Sequence, residues 1–156
     1  HIQQWRGTGG PTNAELSQRY FDLLKNRNRT QELIKFGPEY LALMVEQGNK
    51  NKALEVFHEC HSADSKFTAD PKALFKVGEW LADTGKPKDA IKVFSGMTKS
   101  YPDSPDVPMA YFRAAQLYND RLMDGTRAKK ILEQIIQKYP DHKMIQKFKT
   151  YRDYIR

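Results

Sequence analysis

The sequence predicts an all-α protein built from antiparallel helix pairs that recur along the chain, and three observations carry that prediction. Apolar residues return at helical spacing in segment after segment, Leu74, Val77 and Leu81 being a clear case. Prolines and most glycines punctuate those segments, as turns between helices require. Landmarks also move together by one offset: Gly48 to Gly85, Ala53 to Ala90 and Phe57 to Phe94 are each 37 residues. Ala90 to Ala128 and Tyr101-Pro102 to Tyr139-Pro140 each step by 38. No run of alternating apolar and polar residues stands between hairpin turns, so no strand is expected.

Residues 1–11 (HIQQWRGTGGP) are Gly-rich without periodicity and read as a flexible tether or an expression remnant, leaving residues 12–156 as one helical domain. Folded structure is expected from Thr12, whose hydroxyl and the Glu15 carboxylate form a capping-box pattern. The first helix then carries a Leu16, Tyr20, Leu23 and Leu24 stripe, and Asn26-Arg27-Asn28 ends it. The second, from Thr30, has Leu33, Ile34, Phe36, Tyr40, Leu41, Leu43 and Met44, closed by Gly48. A kink or restart is expected at Gly37-Pro38, because Pro38 lacks an amide and crowds the turn before it. The third runs from Asn51 to Cys60 on Ala53, Leu54, Val56 and Phe57.

Asp70-Pro71 is a start signal, a cap residue followed by proline in the first turn. Leu74, Val77, Gly78 and Leu81 follow, and Gly85 stops the helix. Pro87 opens the fifth, with Ala90, Ile91, Val93, Phe94 and Met97. Residues 101–108 (YPDSPDVP) hold three prolines and form a connector. A further pair spans Pro108 to about Met123 and Thr126 to Lys138, split at Asp124-Gly125. After Pro140 a last helix places Met144, Phe148, Tyr151 and Ile155 in a stripe.

The 156 residues are 39% hydrophobic and 29% charged, which suits a folded domain with a sizeable core rather than a disordered chain. No apolar run is long enough to cross a bilayer. A single cysteine, Cys60, excludes an internal disulfide framework. The chain opens at His1 without an initiator Met and reads as a fragment or processed product, so an upstream segment could hold a leader, a membrane anchor or another domain. Compartment and oligomeric state are left open. The net charge of +7 is uneven: residues 126–156 hold nine basic and three acidic side chains, a net of +6. Such an end could attract an acidic protein, a nucleic acid or an anionic surface, although a solvated helix face is the default for charge of this kind.

With those landmarks in place, the chain resembles the tetratricopeptide family, whose repeat sets an apolar residue, Leu-Gly, Tyr, Ala, Phe and Pro at fixed offsets. Leu74, Val77-Gly78, Leu81, Gly85, Ala90, Phe94 and Pro102 supply that pattern. Gly37, Tyr40-Leu41, Met44, Gly48, Ala53 and Phe57 form a first repeat without its closing proline. Tyr111, Ala114-Ala115, Tyr118, Ala128, Leu132 and Pro140 form a third, with one extra residue in its turn. The resemblance covers about residues 34–140 and implies a right-handed superhelical array of about three repeats, flanked by an N-terminal helix and a C-terminal capping helix. The period is longer than the family's 34 residues, and the Tyr-Pro-Asp connectors are similar to those of a subgroup common in bacterial envelope-associated proteins. Gly78 and Ala90 are expected at tight helix crossings, with Phe94 and Leu81 between successive pairs.

In that family the first helix of each pair lines a concave groove. The resemblance therefore implies groove positions at Lys72, Phe75, Lys76, Glu79 and Asp83, and at Phe112, Arg113, Gln116, Asn119 and Asp120. The first repeat contributes Glu39, Ala42, Val45 and Glu46. Phe75 and Phe112, one repeat apart with Lys76 and Arg113 beside them, could grip an extended or helical peptide; packing within the array is the alternative for both rings. The Lys/Asn clamp that holds chaperone tails in some relatives is missing, since Phe75 and Glu79 stand in its place.

Catalytic chemistry finds no footing. His58 and His61 are neighbours on a helix, but Cys60 points to another side and no second ligand pair stands at zinc spacing. Gly7-Thr8-Gly9-Gly10 lacks the lysine and strand of a phosphate loop. Glu79, Asp83, Asp120 and Asp124 share no histidine or nucleophile. The expectation is a non-enzymatic interaction scaffold without cofactor or metal, part of a larger and membrane-associated bacterial protein. Two alternatives stand beside it. One is nucleic-acid binding through the basic end with Tyr139, Tyr151 and Tyr154 stacking, which the uneven repeat disfavours. The other is a regulatory or assembly module of an enzyme encoded upstream.

Overall fold

The computed structural model describes residues 13–156, and there the chain forms eight α-helices and no strand. The tether and the Thr12 half of the capping box lie outside the described residues. The helices are α1 (Asn13–Asn26), α2 (Thr30–Glu46), α3 (Lys50–Ala63), α4 (Pro71–Asp83), α5 (Pro87–Ser100), α6 (Val107–Asp120), α7 (Gly125–Lys138) and α8 (Ile145–Tyr154). They fall into two compact units that divide after Ala73, inside α4.

In the first unit α2 packs on both α1 and α3. The buried face of α1 is Ser17, Phe21 and Leu24, not the expected Leu16, Tyr20, Leu23 and Leu24 stripe. Phe21 is sealed against the Tyr40 ring at 5.3 Å, whereas Leu23 is 46% exposed. The stripe sits one residue out of phase because Ser17 occupies a close-packed position that its hydroxyl disguises. Of the kink or restart expected in α2, the restart is absent: one helix runs through Gly37-Pro38. Gly37 is there for proximity. A β-carbon on it would lie 2.5 Å from the Cys60 Sγ and 3.1 Å from the Phe67 ring. Asn49 starts α3, its side chain accepting the Lys52 amide at 3.2 Å, and Ala53, Val56 and Cys60 face inward.

The helix turns share one device. Asn28 (φ 53°), Gly48 (φ 69°), Gly85 (φ 79°) and Met123 (φ 55°) all take the left-handed conformation just past a helix end. Amides one residue further on close three of these turns, Arg29 to the Leu24 carbonyl, Asn49 to Met44 and Lys86 to Leu81, each at 2.9 Å. The α6–α7 turn is longer, closed by the Asp124 amide on the Tyr118 carbonyl at 2.8 Å.

In the second unit the predicted tight crossing is present. A β-carbon on Gly78 would stand 2.6 Å from the Phe94 ring, and Ala90 is fully buried. Phe94 fills the α4–α5 interior together with Met97. Asp124 caps α7 by accepting the Arg127 amide at 3.0 Å. Phe112, Ala115, Ala128, Leu132, Ile135, Phe148 and Ile155 then form one apolar cluster joining α6, α7 and α8.

Two registers organise the eight helices. Gly37, Leu74, Tyr111 and Phe148 are spaced by 37 residues, and so are Met44, Leu81, Tyr118 and Ile155. α2, α4, α6 and α8 therefore share the first-helix register, and α8 is the C-terminal helix that covers the α6–α7 pair. Ser17, Ala53, Ala90 and Ala128, at steps of 36, 37 and 38, mark the second helices, which makes α1 a second helix.

Candidate functional site

The groove candidates of the second unit, from Phe75 to Asp120, lie on α4 and α6, and two side chains join those helices; Lys72 belongs to the first unit. The Arg113 Nε stands 4.0 Å from the Glu79 carboxylate, and an Arg113 terminal nitrogen donates to Gln116 at 2.9 Å. Arg113 Nε itself is buried and makes no hydrogen bond. The cation is thus loosely held, at a distance where a better-placed acceptor competes with Glu79. On α4, Lys72 and Lys76 are exposed at the N-terminal half and Asp83 at the C-terminal end. The Lys76 ammonium lies over the Trp80 ring at 5.4 Å, and the partly buried Phe75 ring rests on Phe94 at 5.6 Å.

Further along α6, Asn119 and Asp120 are engaged by α8. The Tyr151 hydroxyl donates to Asp120 at 2.7 Å, and Asn119 donates to the same carboxylate at 3.0 Å and to the Tyr151 oxygen at 3.4 Å. Burial, joined by the hydrogen bond to Asp120, pushes the Tyr151 hydroxyl up to about 12.

Phe112 is not a surface aromatic. It is 1% exposed, with Phe148 at 5.0 Å, Tyr151 edge-on at 5.6 Å and the Lys147 ammonium over its ring at 5.9 Å. The reason is that α8 lies on that face of α6, its Phe148 and Tyr151 rings against Phe112. Phe75 and Phe112 therefore do not form a pair of exposed anchors. The candidates on α2 belong to the first unit, with Glu39 and Glu46 exposed and Ala42 and Val45 partly buried.

The residues weighed for metal chemistry separate in space. Cys60 is fully buried, its thiol within 3.8 Å of the Leu33 carbonyl, and burial pushes it up to about 11. His58 and His61 are exposed, and His61 stacks on the Phe57 ring at 5.4 Å. Among the described residues no group of three or more His, Cys, Asp or Glu side chains is placed to hold a metal ion. Trp80 and Tyr151 were not singled out as groove residues by sequence. The 37-residue step from Ala114 gives Tyr151 a packing position of the repeat, so its hydroxyl contact with Asp120 is not signalled by spacing.

A tetratricopeptide repeat model matches residues 72–104 and 109–142. Solved structures match more of the chain. YrrB, described as a TPR protein with an unusual peptide-binding site, shares 20% identity over 87% of this chain and 67% of its own, with a TM-score of 0.53. A double mutant of MamA from RS-1 shares 16% over 90% and 85%, at 0.52. A tetratricopeptide repeat protein from Parabacteroides merdae shares 13% over 96% of this chain, which spans 61% of that one, also at 0.52. At these identities the likeness is one of fold. No curated protein sequence matches.

Proposed function

The chain is a helical-repeat protein of the tetratricopeptide type, and on that premise we propose that the α4–α6 face holds a peptide or protein segment, within a larger bacterial protein. The observation that carries this reading is the loosely held Arg113. It stands beside α4, whose exposed Lys76 lies in the N-terminal half while Asp83 lies at the C-terminal end. Seven residues of helix separate Lys76 from Asp83, about 10 Å along the axis. A bound segment would meet cations on one edge and a carboxylate on the other, which sets its direction. A ligand carboxylate competing with Glu79 for Arg113 would form a stronger, two-bonded contact. Phe75 and Trp80 supply the partly buried apolar floor. The YrrB peptide-binding site is a precedent on the same fold.

The test is partner capture and peptide-array binding with the wild-type chain and a Lys76→Glu variant. Lys76 is exposed, so the thermal midpoint should hold. The expected result is a loss of about tenfold or more in affinity for acidic segments. An unchanged set of captured partners would overturn the assignment of this face. Phe112→Ala is unsuited to the purpose because Phe112 belongs to the core.

A further inference from the structure

The α2–α3 and α4–α5 turns pass through left-handed glycines, Gly48 and Gly85; the α6–α7 turn passes through Met123 in the same conformation. A β-carbon is disfavoured there, and glycine is the residue that avoids the strain. Met123 does not recover that cost by packing, for it is 84% exposed. An apolar side chain in a strained conformation, held out into solvent where the other two turns use glycine, departs from local design without a structural return.

The same end of the unit carries a second exposed large side chain. A β-carbon on Gly125 would lie 3.1 Å from the Ile155 side chain and 3.3 Å from the Arg156 carbonyl, so the C-terminal end of α8 stands beside this turn. Tyr154 there is 70% exposed. Of the three large apolar side chains that are exposed among the described residues, Leu23, Met123 and Tyr154, two share this tip. The charge around the tip is basic in balance: Lys129 and Lys130 in the first turns of α7 make no ion pair among the described residues, while Arg127 pairs with Asp124 and Arg152 with Asp153.

We propose that this tip docks on a membrane surface bearing anionic lipid, with Met123 and Tyr154 entering the interfacial layer and the basic groups of α7 and α8 drawn to the headgroups. An exposed turn with a flexible thioether suits a soft interface, and tyrosine favours the boundary between apolar and wet. Basic groups within a Debye length of such a surface each add attraction. Nucleic acid would use the lysines but gives Met123 no task. Docking is peripheral, since no helix among the described residues is long and apolar enough to cross a membrane. The proposal concerns a helix-turn end and stands apart from the α4–α6 face.

Co-sedimentation with vesicles of phosphatidylcholine alone, and with phosphatidylserine added, tests it. The wild-type chain should pellet only with the anionic vesicles. Met123→Gly combined with Tyr154→Ser should bind them about tenfold more weakly, while Met123→Gly alone keeps a thermal midpoint at or above that of the wild type. Three results would each overturn the proposal: no binding to anionic vesicles at physiological salt, binding that the double variant leaves intact, or a single-stranded oligonucleotide that binds wild type and double variant alike and displaces both from the vesicles.

Discussion

At Gly78 and Gly37 the absence of a methyl group decides how closely two helices approach. Gly78→Ala would drive its β-carbon into a Phe94 ring that is itself fully packed, and we expect a loss of about 1–3 kcal/mol by urea titration. Gly37→Ala meets the Cys60 thiol instead. The two sites should be coupled: Gly37→Ala costs less in a Cys60→Ala background than in the wild type, which a double-mutant cycle reads directly. The left-handed turns give the opposite pair of outcomes. Gly85→Ala should lower stability and Met123→Gly raise it, each by about 1 kcal/mol. Gly78 was legible in the sequence because its repeat follows the family pattern. Gly37 was misread as a break, since a Gly-Pro pair announces a turn by local chemistry and only the distant thiol reveals why glycine is needed.

Among the elements, α8 is the C-terminal helix the sequence predicts, and its 37-residue step from α6 places Phe148 and Tyr151 of its stripe against the Phe112 ring. The consequence for the site is Phe112: truncation to alanine should cost about 3–5 kcal/mol of folding stability rather than act on binding alone. α1 departs from its sequence reading. Ser17 hid the repeat's small position, so the stripe was drawn through Leu23 in its place. What fastens α1 to α3 is a charge cluster that no periodicity shows. The Lys52 ammonium bonds Asp22 at 3.0 Å and Glu55 at 3.3 Å above the Phe21 ring, and Lys25 bonds Glu55 at 2.8 Å. Burial pulls the Glu55 carboxyl upward, but Lys25 and Lys52 outweigh it and leave it below its ordinary value. A depressed carboxyl stabilises the fold above the unfolded value near 4.5 and loses that effect as pH falls through the folded one. Acid titration followed by circular dichroism should therefore show a downward arm below about pH 4.5 that Glu55→Gln flattens.

For the molecule as a whole, base should act first on the first unit. Burial raises Cys60 from 9.0 to about 11 and Tyr40 from 10.0 to about 12. Each raised group stabilises the fold fully below its unfolded value and loses that contribution as pH climbs through the folded one. Stability should fall from about pH 9, and Cys60→Ala should remove the part of the fall between 9 and 11, as thermal melts at stepped pH would show. The helical class, the pairing and the basic C-terminal end were all readable from the chain, because they rest on periodicity and composition. The burial of Phe112 and the strain at Met123 were not, because each depends on where a turn points.

That turn also makes the protein sensitive to oxidants at one place. Met44 and Met97 are sealed in the interior, while the Met123 sulfur stands open to solvent. Mild peroxide should convert Met123 to its sulfoxide ahead of those two, as peptide mass spectrometry would resolve. The product is polar, and a methionine sulfoxide reductase would restore the thioether, giving the tip a reversible chemical setting that leaves the core untouched.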